Sequence, residues 1–356
     1  MVKLLHSADW HLDAPLGSLS REGRELLRRE QLRLPGRVAR LCREEGCGFV
    51  LLSGDIFDGK FTPQSLGAVR DALEEMAVPV FIAPGNHDWF WEGSPWNTGS
   101  FPGNVHIFKT NEIESVALEE LDCRVYGAGF TGPEAGALLS GFRAGGHERH
   151  AVMALHGDAL AAESPYCPVT KGQIMESGLD YLALGHIHSR GEIFSGGTLA
   201  AWPGCGLGRG FDETGEKGAL IVTLDNRTEA EFRPIPGPRF YDWAVPGDKP
   251  LENLLSRLPG KPSRDFFRVS FTGQAEPPDL KELCAALGSY PNLILRDRTV
   301  PPMDLWAGAD EDSLEGAFFR ILRDAQEGQN EETVRALELA AKISRQILLG
   351  QEVILP

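Results

Sequence analysis

Eight side chains suited to holding metals or moving protons stand at five stations in this chain: Asp9 and His11 in "LLHSADWHLD", Asp55 in "FVLLSGDIFD", Asn86 and His87 in "VFIAPGNHDW", His156 in "VMALHGD", and His186 and His188 in "YLALGHIH". Five imidazoles, two carboxylates and one amide make a full donor set for two metal ions. Mixed nitrogen and oxygen donors suit Mn²⁺, Fe or Zn²⁺ better than Mg²⁺ or Ca²⁺, which favour oxygen almost exclusively. Mn²⁺ is expected as the working metal. Two such ions about 3.5–4 Å apart acidify a water, clamp phosphate oxygens and stabilise an in-line attack, the chemistry of phosphoester hydrolysis. Asp55 is the carboxylate best able to bridge them.

The stations follow short apolar runs, Phe49 to Leu52, Val80 to Ala83, Val152 to Leu155 and Tyr181 to Leu184. Their length and composition are those of strands buried on both faces, the inner strands of sheets covered by helices. Ligands in open α/β sheets gather beyond the carboxyl ends of the strands, so polar residues placed there converge from distant parts of the sequence. Glycines at 54, 85 and 185 are expected to let the backbone turn beside the metals. Each piece alone is weak: an Asp-x-His pair such as Asp9 and His11 is more often a strand end or helix cap than a ligand pair, and "GNHD" or "GHIH" alone fits a turn or loop. The conjunction, each member after a strand, is what points to a site.

Taken together, "DWH", "GDIFD", "GNHD", "HGD" and "GHIH" resemble the calcineurin-like metallophosphoesterase superfamily. "HSADWHL", "GDIFD" followed by Thr62 and Pro63, "DYLALGHIH" and "WPGCGLGRGFDETGEKGALIV" narrow the resemblance to SbcD-like DNA double-strand-break repair exonucleases, in their shorter YhaO-type branch. It covers residues 1–235 and loosens beyond. The resemblance implies an α/β fold, a two-sheet sandwich flanked by helices with a smaller α+β capping domain after it. It implies one metal on Asp9, His11, Asp55 and His188, and the other on Asp55, Asn86, His156 and His186. His87 is then no ligand but the group that protonates the leaving oxygen, a task suited to imidazole. The implied activity is Mn²⁺-dependent cleavage of DNA phosphodiesters, exonucleolytic from the 3′ end, with endonuclease action on single strands and hairpins. The implied partners are DNA and a coiled-coil ATPase of the SbcC type, with homodimerisation a further option. Asp58 stands where some relatives carry a histidine, and Cys205 where others carry Ser or Asn. His6 and Asp88 read as hydrogen-bonding supports of the ligands.

With 356 residues, 42% of them hydrophobic and 24% charged, the chain has the size of two domains and the composition of an ordinary globular protein. No apolar run approaches the ~18 residues that span a bilayer. The first ligand comes at residue 9, where a cleavable signal would remove part of the site, so the cytoplasm is the expected compartment. The six cysteines form no Cys-x-x-Cys pair and read as reduced, structural thiols. A net charge of −16 opposes nonspecific attraction to nucleic acid.

Residues 1–235 read as the phosphoesterase (nuclease) domain, closing on a strand from Ala219 to Leu224. Pro234, Pro236, Gly237 and Pro238 form a stiff connection. Residues 236–300 alternate strand-like and helix-like segments, the capping domain, and 301–356 read as a helical segment. There Val334, Leu337, Ala341, Ile347 and Leu348 lie along one side, for the core or for an ATPase. Eight arginines from Arg21 to Arg43 form either a solvated helix face with glutamate pairs or a contact for DNA or a partner. Trp89, Phe90, Trp91, Trp96 and Phe101 form either the cover of a long loop or a stacking platform for bases. Two rival functions share these features: a phosphomonoesterase or cyclic-nucleotide phosphodiesterase, and a scaffold that uses the fold only to bind proteins.

Overall fold

The computed structural model describes residues 1–260, 263–350 and Val353. In chain order the first strands are β1 (Val2–Ser7), β2 (Phe49–Leu52), β3 (Val80–Ile82), β4 (Val105–Ile107), β5 (Glu114–Leu118) and β6 (Cys123–Gly127). There follow β7 (His150–His156), β8 (Tyr181–Gly185), β9 (Gly191–Ser195), β10 (Thr198–Trp202), β11 (Gly218–Leu224) and β12 (Glu229–Pro234). The last three are β13 (Phe240–Pro246), β14 (Phe266–Thr272) and β15 (Leu293–Asp297). The helices are α1 (Arg21–Glu44), α2 (Pro63–Met76), α3 (Pro95–Thr98), α4 (Lys171–Glu176), α5 (Pro250–Leu255), α6 (Leu280–Ala286), α7 (Leu314–Asp324) and α8 (Glu331–Leu348).

Two six-stranded sheets, ordered β12-β11-β1-β2-β3-β4 and β5-β6-β7-β8-β10-β9, carry most of the chain, and a three-stranded sheet runs β13-β14-β15. In the first, β1 to β4 are parallel; in the second, β6, β7, β8 and β10 are parallel, with antiparallel strands at the edges. Alternation decides which face each residue serves. Leu4, Phe49, Leu51 and Phe81 meet Val125, Val152, Tyr181 and Ala183 between the two sheets. Leu5, Val50, Leu52 and Ile82 point the other way, onto Leu27, Leu34 and Val38 of α1 and Val69 and Leu73 of α2. Met153, Leu155, Leu182 and Leu184 do the same on the far face of the second sheet, against Ile174 of α4. The fold is thus a two-sheet α/β sandwich flanked by helices. Because β2, β3 and β8 have apolar neighbours on both faces, their sequences show unbroken apolar runs.

The chain divides into two units. One comprises Met1–Trp243, Gly260–Arg268 and Gly288–Ile294; the other comprises Ala244–Pro259, Val269–Leu287 and Leu295–Pro356. The second unit has its own apolar cluster, Ala309, Phe319 and Ala341, with the Arg345 guanidinium 3.8 Å from the Phe319 ring centroid. In α8, Val334, Leu337 and Ala341 are at least partly covered, whereas Ile347 and Leu348 are exposed. Leu314, Phe318 and Ile321 of α7 are exposed too.

The arginine run lies on α1, and several of its members are engaged by acids. Arg33 and Arg37 both grip the buried Glu30, Arg21 pairs with Glu25 at 3.2 Å, and Arg43 reaches Glu75 of α2 at 2.7 Å. In the aromatic stretch Trp96 is buried between Phe57 and Phe101, and Trp91 is exposed. All described cysteines but Cys284 are buried, and none forms a disulfide. No described helix is long and apolar enough to cross a membrane.

Candidate metal centre

Parallel strands of both sheets end on one side of the sandwich, and the loops leaving them carry the polar stations. Asp9 and His11 follow β1, Asp55 follows β2, Asn86 and His87 follow β3, His156 closes β7, and His186 and His188 follow β8. The backbone there is unusual. Asp9, His11, Asp55 and His186 have φ of 53°, 44°, 53° and 81°, a left-handed conformation that costs a residue with a side chain about 1–3 kcal/mol. Of the glycines between strand and ligand, only Gly54 turns that way, with φ of 86°. Gly85 is there for space: a Cβ on it would lie 2.3 Å from Asp55 Oδ1 and 2.8 Å from His156 Nδ1.

The structure brings the stations together. His11 Nε2 lies 3.1 Å from His188 Nε2, 3.6 Å from Asp55 Oδ2 and 3.9 Å from Asp9 Oδ1. His156 Nε2 lies 2.9 Å from Asn86 Oδ1 and 3.4 Å from Asp55 Oδ2, and His186 Nδ1 lies 3.3 Å from Asn86 Oδ1. Two clusters therefore share Asp55. His87 stands beside them, its ring centroid 4.8 Å from that of His11, with Nδ1 3.0 Å from Asp58 Oδ1.

Hydrogen bonds at the outer nitrogens fix the tautomers. His156 Nδ1 donates to the Ser53 carbonyl at 2.9 Å, and His11 Nδ1 donates to Asp58 Oδ1 at 2.9 Å. A neutral imidazole with hydrogen on Nδ1 keeps a bare lone pair on Nε2. Burial holds these rings neutral, lowering His11 to about 4, His156 to about 3 and His186 to about 4. Lone pairs of Nε2 and carboxylate oxygens thus face one another with no hydrogen between them. Asp9 adds a second sign, since its Oδ2 is buried without a hydrogen-bond partner. Burial first and the Asp55 charge second push the Asp9 carboxyl well above its usual range. Buried carboxylate oxygens that face bare imidazole nitrogens are best satisfied by a cation between them. The donor set fits two divalent metal ions. Among the described residues, geometry alone gives three overlapping candidate groups: Asp9, His11 and His188; Asp9, Asp55 and His156; and His11, Asp58 and His87.

Residues around the donors hold them in place. Asp58 accepts from both His11 and His87; burial raises its carboxyl, but these two bonds outweigh burial and hold it below the usual range. His6, lowered to about 3 by burial, sits between Tyr181 Oη at 2.8 Å and Ser53 Oγ at 3.1 Å. It supports the residue whose carbonyl orients His156. Asp88 bonds backbone: Oδ1 accepts from Asp55 N at 3.1 Å and Gly85 N at 2.8 Å, and Oδ2 from Ile56 N at 2.8 Å and Phe57 N at 3.3 Å. It ties the loop after β2 to the loop after β3. Asp88→Ala strands four buried N–H donors at about 1–3 kcal/mol each, partly recovered by water, so a loss of about 3 kcal/mol or more is expected. Urea unfolding of the metal-free variant measures it, and a loss below about 1 kcal/mol would mean that the brace is dispensable.

Sequence reasoning left out one pair. Glu213 is buried and accepts from His188 Nδ1 at 2.9 Å, while Arg209 holds it at 2.6 Å. The signal was present in "GRGFDE", an arginine and a glutamate four apart among glycines, but nothing local says that the loop returns to the metals.

A two-sheet sandwich with paired imidazole and carboxylate clusters at its strand ends defines a class of metal-dependent hydrolase. The chain belongs to the calcineurin-like phosphoesterase family, whose pattern matches residues 2–190. It is 31% identical over 243 residues, 63% of this chain and 58% of the other, to "Uncharacterized metallophosphoesterase YhaO" of Bacillus subtilis. It is 26% identical over 92 residues, 24% of this chain and 23% of the other, to the SbcD component of the SbcCD nuclease of Staphylococcus epidermidis. The matches thus span less than two thirds of the length of these curated relatives. Among solved structures, a dimetal phosphatase from Danio rerio matches with a TM-score of 0.46 and 14% identity, over 66% of this chain and 96% of that one.

Proposed function

We propose that this protein is a two-metal phosphodiesterase that cleaves DNA, as an exonuclease working from the 3′ end in double-strand-break repair. The observation that carries the metal chemistry is the meeting of His11 Nε2 and His156 Nε2 on Asp55 Oδ2, at 3.6 and 3.4 Å, with outer nitrogens hydrogen-bonded so that both inner lone pairs are free. One ion is assigned to Asp9, His11, Asp55 and His188, the other to Asp55, Asn86, His156 and His186. Bound there, divalent cations supply Lewis-acid charge to phosphate oxygens and acidify an attacking water. Mn²⁺ is the expected metal.

The chain's own residues do the rest. Asp58 fixes the His87 ring through Nδ1, leaving Nε2 to face a substrate. The hydrogen bond to Asp58 raises the His87 pKa, which favours the protonated ring that a donor to the leaving oxygen needs. Its side chain is 45% exposed, which makes it accessible as the buried ligands are not.

The choice of DNA rests on the motifs shared with SbcD-like nucleases and on the likeness to the Staphylococcus epidermidis nuclease component. With a net charge of −16 the isolated chain holds DNA weakly at physiological salt, and a coiled-coil ATPase partner supplies the missing attraction. Exposed Leu314, Phe318, Ile347 and Leu348, which line one groove, suit such docking. The test gives purified protein and Mn²⁺ three substrates in parallel: end-labelled duplex DNA, single-stranded DNA and a chromogenic phosphate monoester. Cleavage of DNA with little monoester turnover is expected. Robust monoester turnover with intact DNA would move the reading to a phosphomonoesterase, and no turnover of any substrate to a binding scaffold.

A further inference from the structure

The glycine-rich segment after β10 has no part in the chemistry described so far, yet it returns to the metal site. There Glu213 is buried, and its carboxylate is held from three sides. Arg209 N donates to Oε2 at 2.7 Å, Arg209 Nη2 to Oε1 at 2.6 Å, and His188 Nδ1 stands 2.9 Å from Oε1. Arg209 Nη2 is also 3.1 Å from His188 Nδ1, but both are N–H donors when that nitrogen carries hydrogen, so the carboxylate between them is the acceptor of each. The main chain adds a further tie, since Cys205 N donates to the His188 carbonyl at 3.3 Å. The segment therefore grips His188 at both backbone and ring.

We infer that Glu213, pinned by Arg209, is the positioning residue of His188: it fixes the tautomer with hydrogen on Nδ1 and aims Nε2 at the ion shared with Asp9 and His11. This rests on the metal assignment proposed above. His188 needs such a support more than His11 or His156 does. Its side chain is 33% exposed, against 1% for His11 and 0% for His156, so packing does not hold its ring. The pair is also electrically economical. A lone glutamate would add negative charge to a pocket already rich in carboxylates, whereas the Arg209–Glu213 ion pair is neutral and still leaves an oxygen for the ring. A carboxylate behind a ligating histidine is worth about 10–100-fold in metal affinity.

The experiment titrates Mn²⁺ into metal-free protein by calorimetry, with ions per chain counted after dialysis and the Mn²⁺ electron paramagnetic resonance spectrum recorded. Wild type is expected to bind two ions and to show the spectrum of a coupled pair. In Glu213→Gln one ion should weaken about 10–100-fold, the other staying tight, with the coupled spectrum lost at low Mn²⁺. That variant also leaves Arg209 with Asp58, 3.9 Å away, as its remaining ionic partner beside the metals. The neutral double variant Arg209→Met with Glu213→Met removes this imbalance, and the same ion should still weaken. Full recovery of affinity in the double variant, or unchanged binding of both ions in Glu213→Gln, would overturn the inference. Should Glu213→Gln melt well below wild type when metal-free, Arg209→Lys carries the test, since it keeps the charge and loses the fork that holds Glu213; unchanged binding there overturns the inference too. Failure of wild type to bind two ions would instead sink the metal assignment itself.

Discussion

Asp55→Asn is expected to leave less than a few per cent of Mn²⁺-dependent activity while the metal-free protein stays folded, with stability equal to or above wild type. Asp55 Oδ1 accepts the His87 backbone N–H at 2.8 Å, and Oδ2 points between His11 Nε2 and His156 Nε2. In the variant the amide oxygen keeps the first bond, which turns the NH₂ group toward the two imidazoles. Two donors then face two bare lone pairs, so the amide satisfies groups that only cations satisfy in wild type. What stabilises the empty site also excludes the ions, and the negative charge shared by both is gone. Metal counting after dialysis should show at most one ion per chain. A variant that keeps two tightly bound ions, or substantial activity, would mean that Asp55 does not bridge.

His87→Ala should behave in the opposite way, keeping both ions and losing turnover by about 10²–10⁴, the usual worth of a positioned general acid. His87 touches the site through Asp58, through an edge contact with the His11 ring and through its own backbone N–H to Asp55, and the last of these survives truncation to alanine. Asp58 keeps its bond to His11, so the ligand shell stands. The loss should be greatest for substrates with poor leaving groups, which need the proton most, and smallest for activated aryl esters. Loss of one ion would make His87 a ligand, in line with the geometric group of His11, Asp58 and His87.

Apolar runs such as Phe49 to Leu52 and Tyr181 to Leu184 were legible as inner strands, because burial on both faces erases the polar alternation that short sequences otherwise show. The stations were legible because each follows such a run. Edge strands were not. β9 alternates between half-buried and exposed residues over five positions, and β4 has three residues, too short to stand out from a loop. The positive φ of Asp9, His11, Asp55 and His186 has no local signature, since these residues are forced left-handed by what surrounds them. Gly85 was read as a hinge, but the structure gives it a different reason, the close approach of Asp55 and His156. Glu213 was invisible because its partner, His188, lies across a strand pair and a loop, and only folding relates them.

The Asp88 brace has a consequence for how the protein acquires its ions. Many metal sites exist only after the ion has gathered its ligands, so that loading and folding are one event. Here the loops after β2 and β3 are already sewn together by four backbone N–H groups on one carboxylate. An arriving ion therefore finds the loops carrying Asp55 and Asn86 already joined. The metal-free chain is expected to keep these two loops joined, so that loading need not wait for them to find each other.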